Sequence, residues 1–147
     1  MKEEIKSATN FLIHLMKLSS EIENEKSQNK KSFFRLYHKV MYERKLKKLH
    51  SQLKKDLQKR FNHRWFPDSP FRASVYRRIR IKDGYLDPLI VESAMKCGLG
   101  SSNLMLFLPE TLSIWIDPGL VQYSLEEPWE HIYTLYNGER VWKHTSQ

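Results

Sequence analysis

Leu108-Pro109-Glu110-Thr111-Leu112-Ser113-Ile114-Trp115-Ile116-Asp117-Pro118 decides how this chain is read. At the period of two expected of a strand, Leu112, Ile114 and Ile116 fall on one face and Ser113, Trp115 and Asp117 on the other. The aliphatic face is predicted to meet the core. That leaves an indole beside a hydroxyl and a carboxylate on the face toward water. Two readings of Trp115 stay open. A loop or helix caps the ring, or the ring anchors a partner, since tryptophan is enriched among residues that dominate binding energy.

Upstream, Val75-Tyr76-Arg77-Arg78-Ile79-Arg80-Ile81 reads as a second strand of similar construction. Val75, Ile79 and Ile81 make an aliphatic face that Arg77 interrupts, and Tyr76, Arg78 and Arg80 make the other. Each strand then carries one aromatic among polar neighbours. Tyr76, Trp115 and Asp117 would form a composite docking patch if the fold brings the strands together.

Working outward, residues 2–18 are predicted as an amphipathic helix with Ile5, Ala8, Phe11, Leu12, Leu15 and Met16 on one stripe. Residues 19–31 have no periodicity and read as a loop. Residues 33–41 have helical spacing and either dock as an extra helix, extend the next one or stay loose. Over residues 43–62, Leu46, Leu49, Leu53, Leu57 and Phe61 give the clearest helical stripe in the chain. Pro67 and Pro70 forbid its continuation, and Trp65 and Phe66 are placed to plug the junction between helix and sheet. A turn at Lys82-Asp83-Gly84, a short helix opened by Asp87-Pro88 and closed by Gly98, and another leading to Phe107 precede the Trp115 strand. Strands at 120–125 and about 132–136 follow. The expectation is a single α+β domain over 1–137, with N-terminal amphipathic helices packed on a small, mostly antiparallel sheet of about four strands. Residues 138–147 are read as a short C-terminal tail.

The 147 residues suit one domain and a substantial core. The single cysteine, Cys97, lies among apolar neighbours and reads as a small buried hydrophobe, so the fold needs no oxidising compartment. The acidic start lacks the pattern of a signal peptide, and no apolar run approaches a membrane span. A cytoplasmic and nuclear protein without a membrane contact is expected. The net charge of +8 is uneven. Residues 1–65 hold 17 Lys or Arg against 7 Asp or Glu, whereas residues 66–147 hold 8 against 10. Direct RNA contact, if made, belongs to the first half, where Lys45, Lys47, Lys48, Lys54 and Lys55 form an electrostatic surface. That surface also reads simply as a solvated helix face, because no aromatics are interleaved to stack on bases.

Six histidines, at 14, 38, 50, 63, 131 and 144, lie in separate elements with no carboxylate or cysteine at ligand spacing. One cysteine excludes the usual zinc sets. There is no nucleophile elbow, phosphate-cradling loop or paired-carboxylate motif. No catalytic residue, metal or cofactor is expected.

Trp65-Phe66-Pro67, Tyr76 through Ile81 with Asp87-Pro88-Leu89-Ile90, and Leu108-Pro109 through Pro118 with Val121 and Tyr123 resemble box A and box B of the BTG/Tob antiproliferative proteins. The resemblance covers roughly residues 2–18 and 43–136. It implies a non-catalytic adaptor that docks on the Caf-type exonuclease subunit of the CCR-NOT deadenylase complex, promotes poly(A) shortening and restrains proliferation. It also leaves transcription-factor partners open. By motif match, Tyr76, Trp115 and Asp117 take the deadenylase-contacting positions, the same residues that strand alternation selects. The chain departs from the family at Ala73-Ser74-Val75, where a glycine-containing approach is usual, and at Leu120 and Ser124, where Glu and Arg are usual. The connection between the first two helices is longer than the family's and basic, an insertion at about 21–42. The tail is expected to be too short for the further C-terminal regions that some members carry. An RNA-binding module working through the 44–60 helix and a divergent copy that has lost deadenylase binding are the alternatives.

Overall fold

The structure, a computed structural model, describes residues 1–26 and 32–138. Two long helices come first, α1 (Lys2–Lys26) and α2 (Ser32–Phe61). The one-turn helix α3 (Ser74–Arg77) leads into strand β1 (Ile79–Lys82), which hairpins back as β2 (Tyr85–Leu86). Helices α4 (Pro88–Lys96) and α5 (Ser101–Phe107) precede the three strands β3 (Thr111–Asp117), β4 (Leu120–Ser124) and β5 (Tyr133–Asn137). The sheet is antiparallel throughout, in the order β2-β1-β3-β4-β5. This is the expected α+β arrangement with one more strand than expected.

The stripe of α2 forms as read: Leu46, Leu49, Leu53, Leu57 and Phe61 are all buried, together with Ile5, Ala8, Leu12 and Met16 of α1. Each fully buried aliphatic side chain contributes about 1.5–3 kcal/mol. From the sheet, Ile79, Ile81, Leu112, Ile114, Ile116 and Val121 close the other side of this core. The phenol ring of Tyr123, opposite Ile114, packs tilted against Phe11 with centroids 4.2 Å apart, so the helices cover the aliphatic face of the sheet.

Three expectations are corrected. Helix α1 runs to Lys26, where residues 19–31 read as a loop, and α2 begins at Ser32, so 33–41 extends it. The described parts of the expected insertion thus lengthen two helices, while 27–31 and the tail after Gly138 lie outside the described residues. The extra strand β2 arises because Asp83 and Gly84 both take positive φ, 45° and 88°, the geometry of a tight hairpin turn. Finally, residues 75–77 are not strand. Ser74–Arg77 turns helically, leaving Val75 exposed at 67% and sending Arg77 into the interior at 0%.

Candidate functional site

The outer face of the sheet is set by the register of β1 on β3: Arg80 lies opposite Ser113 and Lys82 opposite Thr111. Continuing that register past the Ile79–Ile114 pair brings Arg78 beside Trp115. On β4, Gln122 stands opposite Trp115 and Ser124 opposite Ser113. The alternation in β3 therefore holds, but its outer face does not simply meet water. Ser113 is fully buried, Asp117 is only 4% exposed and Trp115 is half-buried.

Asp117 is covered by α3. Its Oδ1 accepts from Ser74 Oγ and from Arg77 Nη2, each at 2.8 Å. The remaining guanidinium hydrogens of Arg77 go to backbone oxygens, with Nε donating to Ile116 O, Nη1 to Arg64 O and Arg72 O, and Nη2 also to Pro70 O, all at 2.7–2.8 Å. A buried guanidinium is tolerated only when its donors are satisfied and its charge is paired, and here both hold. One side chain thus staples the 64–72 loop, α3 and the end of β3. Beneath it, Trp65 stacks on Phe61 with ring centroids 6.1 Å apart, plugging the helix-to-sheet junction as its position in the sequence implied.

The Arg77–Asp117 pair makes a corner between α3 and β3, with Tyr76 preceding Arg77 on the helix and Trp115 two residues before Asp117 on the strand. Tyr76 is 55% exposed, and the Arg64 guanidinium lies 4.4 Å above its ring. Ala73, which precedes α3, has φ 62°, in the left-handed region that favours glycine.

Trp115 is capped by a residue that the sequence reading did not single out. Trp129 meets it edge-to-face, with ring centroids 5.0 Å apart and planes at 87°, and Trp129 Nε1 donates to Ser113 Oγ at 3.2 Å. The Arg78 guanidinium lies 5.4 Å from the Trp129 ring centroid. The loop carrying Trp129 is pinned by Glu127, which accepts from Arg80 Nε and Nη2 at 3.1 Å and from Lys82 Nζ at 2.8 Å. Hydrogen bonds from Arg80 and Lys82 pull the Glu127 carboxyl down to about 2. Ser124 is buried, and its hydroxyl turns the chain into this loop by bonding Glu126 O at 3.2 Å. A loop thus caps one side of the Trp115 ring, and the ring is not sealed.

Elsewhere, the expectation that no histidine has a carboxylate at ligand spacing is corrected in the loop before β5. Glu126, Glu130 and His131 bring potential ligand atoms within 4.8 Å of one another, and the His131 ring bonds the Glu126 carboxylate. The Glu126 carboxylate also accepts from the His131 backbone N–H at 2.8 Å, so the contact closes the loop on itself. Lys47, Lys48 and Lys55 are exposed on α2, and Lys45 and Lys54 are half-exposed. Burial, followed by the charges of Lys54 and Lys17, pushes the His50 imidazole below its ordinary value. A groove of about 350 Å³ lined by residues such as Lys17, His38, Tyr42, Lys45 and Phe107 shares no residue with the outer sheet face. Among the described residues, no helix is long and apolar enough to cross a membrane.

The BTG family model matches residues 1–135, the whole of the helical layer and nearly all of the sheet. The chain belongs to the BTG family. Human Protein BTG1 is 40% identical over 85 residues, 58% of this chain and 49% of BTG1. Human Protein BTG2 is 38% identical over 85 residues, 58% of this chain and 53% of BTG2. Human Protein Tob1 is 33% identical over 90 residues, 60% of this chain and 26% of Tob1. The chain thus spans about half the length of the BTG relatives that it matches. The solved BTG/Tob domain of C. elegans FOG-3 superposes with a TM-score of 0.64 at 18% identity, covering 94% of this chain and 83% of that one. That likeness is one of fold.

Proposed function

We propose that this BTG-family chain is a non-catalytic adaptor that docks on the Caf-type exonuclease subunit of the CCR-NOT deadenylase complex. In this reading it promotes poly(A) shortening and restrains proliferation. Tyr76 and Trp115 supply the contact. Asp117 acts as a positioning residue, because its Oδ1 accepts from both Ser74 and Arg77. The observation that carries the reading is the corner itself: an exposed phenol and a half-buried indole are held on one rigid framework by a saturated buried arginine. Aromatic anchors that need no ordering on binding lose little entropy, which is what a protein-docking surface requires. Activity in cytoplasm and nucleus, and transcription factors as further partners, belong to this proposal.

Tethering the chain to a reporter mRNA in cells tests it. The wild type is expected to shorten the poly(A) tail and to recover the exonuclease subunit, and Trp115→Ala to do neither. Equal tail shortening by both proteins would remove Trp115 from the mechanism.

A further inference from the structure

We infer that Trp129 is a third aromatic anchor of the docking surface and sets its specificity, so that the partner receives an edge-to-face Trp115–Trp129 pair in place of a single indole. The inference rests on the docking reading above and deepens it. Trp129 lies in the 125–132 loop, and three contacts hold it there. Its ring edge meets Trp115, its N–H is taken by Ser113 and its face is covered by Arg78. Two residues before it, Glu127 bridges Arg80 and Lys82 on the outer face of β1. An indole fixed from three directions has already lost its rotamer freedom, so covering it costs little further entropy.

Although so held, Trp129 remains 42% exposed. In the same loop Leu125, at 47%, and Ile132, at 48%, are exposed as well. A ring recruited only to complete the core would be driven further from water, because indole burial is among the largest single contributions to packing. Instead the loop covers part of Trp115 and presents a second indole in its place. Any protein that reaches Trp115 from the outer side meets Trp129 and the Arg78 guanidinium with it. A partner shaped for this surface needs a cleft wide enough for two crossed indoles and a carboxylate or carbonyl near Arg78.

The test titrates the full chain with the recombinant exonuclease subunit, using wild type, Trp115→Ala, Trp129→Ala and Trp129→Phe. With Trp115→Ala weakened and each variant melting cooperatively, Trp129→Ala is expected to bind at least about 10-fold more weakly than wild type, and Trp129→Phe to recover most of that loss. Unchanged or tighter binding by Trp129→Ala would overturn the inference while leaving the Trp115 contact standing. Absence of binding by the wild type would instead overturn the docking reading beneath it. Should Trp129→Ala fail to fold, hydrogen exchange on the wild-type complex decides: protection of residues 125–132 supports the inference, and unchanged exchange there overturns it.

Discussion

Arg77 Nη2 lies 2.8 Å from Asp117 Oδ1, and neither side chain is open to solvent. The pair links α3 to the last residue of β3, and every remaining Arg77 donor is spent on the surrounding backbone. Removing one member of a buried ion pair leaves the other charge stranded, at a cost of about 3–5 kcal/mol. Asp117→Ala is therefore expected to lower the melting temperature by about 10 °C or more, as read by circular dichroism. A melt that matches wild type would mean that Asp117 does not hold α3 in place.

Ala73 offers the opposite sign. Its φ of 62° costs an L-residue with a Cβ about 1–2 kcal/mol. Ala73→Gly is expected to raise stability by up to about 1 kcal/mol, after the entropy that glycine adds to the unfolded chain, and to shift the melt upward by a few degrees. A lower melting temperature would contradict the strain assigned to this residue.

The core was legible because apolar spacing reports it directly: Leu46 through Phe61 and Leu112, Ile114 and Ile116 are buried as their periods required. Strand alternation was equally right about which side of β3 Trp115 and Asp117 occupy. It could not say what lies over that side. The burial of Ser113 and Asp117 comes from Trp129 and from α3, segments too short or too irregular to have a period. Arg77 on an otherwise aliphatic face was the available signal that Val75–Arg77 is not a regular strand. A tryptophan inside the turn Glu126 to Glu130 was the signal for the cap, since a large aromatic in a polar loop requires a surface to rest on.

Glu127 makes the loop sensitive to acid. Its folded pKa, about 2, lies below the ordinary 4.5, so its clamp on Arg80 and Lys82 is fully present above about pH 4.5 and is lost as pH falls through about 2. The difference in stability between wild type and Glu127→Gln, from urea melts, is expected to be constant from pH 7 to 5 and to shrink below. A difference that does not vary with pH would show that the clamp does not depend on the carboxylate charge.

Cys97 should behave as an interior group. Burial raises its thiol pKa, which lowers the thiolate fraction at neutral pH. Alkylation by iodoacetamide at pH 7.5 is expected to be slow in the native protein and fast in guanidinium. Rapid native labelling would contradict its placement against the core.

The lysines of α2 separate docking from general cationic attraction. Replacing Lys45, Lys47, Lys48, Lys54 and Lys55 together with Gln is expected to leave affinity for the exonuclease subunit within about 2-fold at physiological salt, where exposed charges beyond about 8 Å are screened. A steep loss, with a strong dependence on salt, would move the contact from the sheet to the helix.

Calorimetric titration of the folded full chain with the purified exonuclease subunit tests the central claim most directly. One-to-one binding by the wild type is expected, with Tyr76→Ala and Trp115→Ala each weakening it by about 2–4 kcal/mol while their melting curves stay cooperative. Wild-type affinity in both variants would contradict a docking surface built on that corner.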